Sequence, residues 1–167
     1  DQFQISNDKI DFYTKFWSLQ SVMRQSVVSL EVPQIQEVLA TIDCVLSQWE
    51  VVLPVSNKRQ AQYPKFLSNY ELFDMQIVDG DFRATICIQL AIFLNQLLHF
   101  RSKFSQSFPD LDQKVCLLLN RMQDLQKSQS LDSTVIASQM EFLQSENVWA
   151  SWKAQSCPSL ERNVLEV

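Results

Sequence analysis

The stretch Pro33-Gln34-Ile35-Gln36-Glu37-Val38-Leu39-Ala40-Thr41-Ile42-Asp43-Cys44-Val45-Leu46-Ser47-Gln48-Trp49 decides the fold class. Counted from Ile35, the residues Val38, Leu39, Ile42, Val45, Leu46 and Trp49 fall at offsets 3, 4, 7, 10, 11 and 14. That is the period of an α-helix with a single apolar face; a half-buried strand would alternate every second residue. Pro33 suits the first helical turn, where its missing N–H has no partner to lose. Pro54 stops the helix.

Outward from this helix the same period recurs. Upstream, Asn7 is a good N-cap, followed by Ile10, Tyr13, Phe16, Trp17 and Gln20. The run Phe12-Tyr13-Thr14-Lys15-Phe16-Trp17 holds four aromatics, so this helix is expected to dock by large rings. Residues 22–30 read as a second helical segment. Downstream, residues 55–62 are polar and read as a surface loop between 1–53 and 64–167. Ser68-Asn69-Tyr70-Glu71 fits a capping box, with a short helix to about Met75. Asp79-Gly80-Asp81 breaks the chain and offers N-caps for a helix over 82–104. That helix is apolar on most sides and reads as buried and central.

Pro109 opens the next helix, with Asp110 and Asp112 at its positive end and Leu111, Val115, Leu118, Leu119, Met122 and Leu125 as its buried stripe. After Ser128-Gln129-Ser130, Asp132 caps a last helix carrying Ile136, Met140 and Leu143 towards Trp149 and Trp152, and Pro158 ends it. The expectation is an all-α chain: about six amphipathic helices in a bundle or array, with no substantial sheet. Residues 1–167 read as a single all-helical region, a piece of a longer subunit.

Composition agrees. In 167 residues there is one Gly, against 46% hydrophobic and 20% charged residues. A single Gly excludes Gly-rich phosphate loops, dinucleotide fingerprints and turn-dense sandwiches. The net charge of −5 and pI near 4.8 run against a strong grip on a phosphate backbone. The most apolar window, 86–98, is shorter than the ~20 residues a bilayer span needs, so no membrane segment is expected.

Candidate chemistry is sparse. His99, the single His, follows Leu97-Leu98 near a helix end and has no local nucleophile motif; Cys116 is the one thiol conceivable as its partner. Cys44, Cys87, Cys116 and Cys157 lack zinc spacing and read as reduced, buried thiols of a cytosolic or nuclear protein. Asp79 and Asp81 lack the other carboxylates of a calcium loop and read as caps. No catalytic residue, cofactor site or metal site is expected. Lys58, Arg59 and Lys65, with Tyr63 and Phe66 between them, are candidates for weak RNA contact; a solvated loop is the plainer reading. Trp149 and Trp152 share a helix face, as core or as an anchor for a partner, with neither preferred.

Three stretches together resemble the THO complex subunit 1 family. They are Phe12-Tyr13-Thr14-Lys15-Phe16-Trp17-Ser18-Leu19-Gln20; Lys65-Phe66-Leu67 with Leu72-Phe73-Asp74-Met75-Gln76, Asp79, Phe82-Arg83, Ile86, Gln89 and Leu90; and Glu146-Asn147, Trp149, Ser151-Trp152-Lys153 and Cys157-Pro158-Ser159. Ser156 stands where the family carries Gly, and Ala84 where it often carries a second Arg. The resemblance implies a non-catalytic, all-helical scaffold subunit in the nucleus, inside the THO/TREX assembly that couples transcription to mRNA packaging and export. It implies as partners other THO subunits, above all the large subunit 2, and a DEAD-box RNA helicase that the assembly recruits, with the mRNP reached indirectly. A death-like domain of animal members would lie C-terminal to this region. The alternative reading is a helical RNA-binding or generic adaptor module.

Overall fold

The computed structural model describes residues 7–52, 70–128 and 133–159. Among them the chain forms six α-helices and no strand: α1 (Asn7–Met23), α2 (Val32–Val51), α3 (Tyr70–Ile77), α4 (Gly80–His99), α5 (Leu111–Ser128) and α6 (Ser133–Ala154). Two 3-10 turns, Val27–Ser29 and Arg101–Lys103, complete the order.

At the start of α2 the backbone N–H of Glu31 donates to Gln34 Oε1 at 2.9 Å, and Pro33 sits in the first turn. Ile35, Val38, Leu39, Ile42, Val45, Leu46 and Trp49 are all buried, as their spacing requires. Thr41 joins them because its hydroxyl donates to the Glu37 carbonyl at 2.9 Å, which removes the cost of burying it. The first helix does dock by rings. Phe73 of α3 lies 5.9, 5.0, 5.1 and 6.4 Å from Phe12, Tyr13, Phe16 and Trp17. Tilted and edge-on pairs of this kind each contribute ~0.5–1.5 kcal/mol beyond the area they bury.

Helix α4 is central: it packs on α3, α5, α6 and both 3-10 turns. Its first turn is capped by Asp79, whose Oδ1 accepts from the Phe82 N–H at 2.9 Å. One turn on, Arg83 is only 1% exposed. Its Nε donates to the Ile77 carbonyl and its Nη2 to the Val52 carbonyl at 2.8 Å, with the guanidinium carbon 5.6 Å from the Trp49 ring centre. These oxygens end α3 and α2, where unpaired carbonyls concentrate negative partial charge. The cation therefore ties two helix ends to α4. On the other side Arg121 of α5 holds Asp43 and, at 2.9 Å, Glu50 of α2.

Three expectations need correction. Residues 22–30 are no α-helix: α1 ends at Met23, and the 3-10 turn Val27–Ser29 follows. Three-residue spacing in such a turn puts Val27 and Leu30 on one side, and both are buried. The helix expected over 82–104 stops at His99, where Phe100 leaves helical geometry. The turn Arg101–Lys103 then redirects the chain so that Phe104 and Phe108 enter the core. Of the cysteines, Cys87 alone is buried; Cys44 is half-buried, and Cys116 and Cys157 are exposed, all as free thiols. Cys116 follows Val115 by one residue, about 100° round α5, which turns it off the buried stripe.

Candidate functional site: the outer face of α6

Helix α6 lies against α4 and α5. Asn147 fixes which side faces in: its amide and that of Asn95 exchange two hydrogen bonds, at 2.8 and 3.1 Å. Leu143 and Ala150 share that side and are half-buried. The opposite face carries Phe142, Val148 and Trp149, which remain 53%, 70% and 48% exposed. No described side chain of α6 is buried, whereas α2 buries eight. This helix has an apolar outer face as well as an inner one.

The two tryptophans are braced. Their rings stack with centroids 4.7 Å apart at 22°, and the Lys153 ammonium lies 5.0 Å from the Trp149 centroid. Trp152 Nε1 donates to the Pro158 carbonyl at 2.9 Å. That oxygen is brought back by the way α6 ends. The Cys157 N–H donates to the Trp152 carbonyl at 3.2 Å and the Ser156 N–H to the Lys153 carbonyl at 3.0 Å. This is the paired 6→1 and 5→2 pattern of a Schellman cap. It holds Ser156 at φ 65° and Cys157 at φ 55°, a left-handed conformation in which Gly is favoured. A shallow groove of about 480 Å³ runs along the rings, lined by Glu141, Gln144, Ser145, Val148, Trp149 and Trp152. Rigid, half-exposed rings lose little freedom when a partner covers them, which is what an anchor for another protein surface requires.

The structure places the other candidates as follows. Lys58, Arg59 and Lys65, the capping box at Ser68 and the loop 55–62 lie outside the described residues. His99 ends α4 with its ring edge-on to Phe100 at 4.9 Å, Cys116 is exposed on α5, and no hydrogen bond joins them. Asp79 acts as a cap. Among the described residues no three His, Cys, Asp or Glu side chains converge as metal ligands, and no helix is long and apolar enough to cross a membrane. A second concavity of about 290 Å³ opens between Gln20 and Met23 of α1, Arg24 just after it, and Gln89, Ile92 and Gln96 of α4. Sequence reasoning named the Trp pair but not Phe142 or Val148, which extend its face; their helical spacing was the available signal.

Residues 53–167, more than half of the chain, match the model of the family described as THO complex subunit 1 transcription elongation factor. The chain belongs to the THO complex subunit 1 family. THO complex subunit 1 of Mus musculus and that of Homo sapiens are each 29% identical to it, over 89% of this chain and 25% of their own length. The chain thus spans about a quarter of the length of the curated relatives it matches. No solved structure matches it. The family match begins beyond α2, and described residues on the two sides of that boundary touch. The rings of α1 pack on Phe73, and Arg83 grips the end of α2.

Proposed function

We propose that this chain is a non-catalytic scaffold of a THO assembly, acting in the nucleus to couple transcription to mRNP packaging and mRNA export through protein–protein contacts. Its neighbours are other THO subunits, above all the large subunit 2, and the DEAD-box RNA helicase that the assembly recruits. Family membership supports the assembly. One observation supports contact as the mode of action: a helix that keeps Phe142, Val148 and Trp149 exposed beside a braced Trp152. Apolar groups concentrated on one face mark interaction surfaces, and Trp is prominent among the residues that dominate binding. In this reading Trp149 and Trp152 anchor a neighbouring protein, and Lys58, Arg59 and Lys65 touch RNA weakly.

The test is affinity purification of the tagged full-length protein from nuclear extract, with nuclease treatment and mass spectrometry of what remains bound. Recovery of THO subunits and the helicase after nuclease treatment is the expected result. A preparation free of them refutes the proposal. Association that disappears with the nucleic acid favours the RNA-binding alternative.

A further inference from the structure

We propose that the occupant of the α6 face is a second copy of this chain, seated antiparallel across a two-fold axis that meets the outer face at the axial level of residue 147. The inference rests on reading that face as a protein-contact surface, and it names the partner.

One row of side chains on α6 carries the complementarity. Glu141, Ser145, Trp149 and Lys153 follow one another at four-residue spacing and form one i±4n ridge on the helix surface. The row carries an acid at one end and a base at the other. Neither has an ion-pair partner among the described residues. Twelve residues of helix separate them, about 18 Å along the axis. The midpoint between 141 and 153 is 147.

When two helices cross at about 50°, their i±4n ridges run alongside each other, the commonest packing class in globular proteins. Laid antiparallel about position 147, two copies of this ridge match end to end. Glu141 of each meets Lys153 of the other, and Trp149 of each meets the small Ser145 of the other. A large ring set against a small side chain is how ridges fill grooves. Phe142 and Trp152 flank the row symmetrically, since 142 and 152 are also equidistant from 147. One ridge therefore complements itself in shape and in charge, which is the requirement for a two-fold interface. A heterologous partner would need the same pattern from a different sequence.

A single crossed helix pair covers less than the ~800 Å² per partner of a stable standard interface, so pairing by this face alone is weak. A dissociation constant in the micromolar range is expected for the isolated protein.

The charges provide the test. Sedimentation equilibrium on the full-length protein should show reversible self-association. Glu141→Lys should weaken it at least ~10-fold, because both ends of the interface then bring like charges together. Lys153→Glu should do the same. Mixing these two single variants should restore association between them, because each contact again joins an acid to a base. Trp149→Ala with Trp152→Ala should abolish pairing. Three results overturn the inference: wild-type protein that stays monomeric throughout the micromolar range, charge variants that associate like the wild type, or a mixture no tighter than either variant alone. If the charge variants self-associate normally but lose another THO subunit from the purified assembly, the second copy is refuted while the scaffold reading stands.

Discussion

Replacing Arg83 by Met is the sharpest perturbation of the interior. The guanidinium is 1% exposed and makes two short hydrogen bonds, to the carbonyls of Ile77 and Val52; a third, to the Trp49 carbonyl, is long at 3.4 Å. A hydrogen bond to a charged group contributes ~1.5–3 kcal/mol, so the two short ones together supply ~3–6 kcal/mol. Against this stands the desolvation of the cation, a cost of several kcal/mol that Met does not carry. Met fills much of the volume but leaves two helix-end carbonyls without donors, each costing ~1–3 kcal/mol. The balance is a loss of about 2–4 kcal/mol, or roughly 5–15 °C in melting temperature for a chain of this size. Arg83→Lys should lose less, because one ammonium still serves one of the two helix ends. Urea denaturation followed by circular dichroism at 222 nm measures both variants. A loss below about 1 kcal/mol for Arg83→Met, or a gain, would show that the carbonyls find other donors and that the cation is no clasp.

Other consequences can be measured on the same preparations. Ser156→Gly should stabilise the protein by about 0.5–1 kcal/mol, because Ser is held at φ 65° where Gly carries no side-chain clash; an unchanged or lower melting temperature refutes this. Iodoacetamide should label Cys116 and Cys157 quickly and leave Cys87 untouched until the protein unfolds, a ranking that peptide mass mapping reads directly. Burial pushes the Cys87 thiol from 9.0 up to about 12. Its folded-state value lies above its unfolded one, so its contribution is complete below pH 9 and declines as pH rises towards about 12. Cys87→Ala should flatten that alkaline decline relative to the wild type; parallel curves would exclude the thiol as its source.

Much of the fold was legible because burial leaves a periodic trace. The spacing from Ile35 to Trp49 marked the buried face of α2, and four aromatics in six residues marked a ring-docked α1. What sequence could not supply was geometry set by distant partners. The two 3-10 turns arise because Val27, Leu30, Phe104 and Phe108 must all reach one core, and nothing near them in sequence announces it. Arg83 stood out in the sequence only within the Phe82-Arg83 pair of the family resemblance; only the fold brings the ends of α2 and α3 to it. Cys116 shows the converse error, since an apolar run on a helix spans more than its buried stripe. At the candidate site the Trp pair stood out by residue type, but its exposure goes with the bond between Asn147 and Asn95, 52 residues apart, which turns the other side of α6 inward.

In the proposed reading the outer face of α6 serves contact with another protein chain and not the core. Trp149→Ala combined with Trp152→Ala, introduced in the full-length protein, tests it most directly. Thermal melting and quantitative mass spectrometry of the purified assembly would be measured side by side. The expected result is a melting temperature within a few degrees of the wild type and the loss of at least one protein neighbour, a second copy or another THO subunit. A collapsed melt would place the rings in the core, and an unchanged melt with every neighbour retained would leave the face without the role assigned to it.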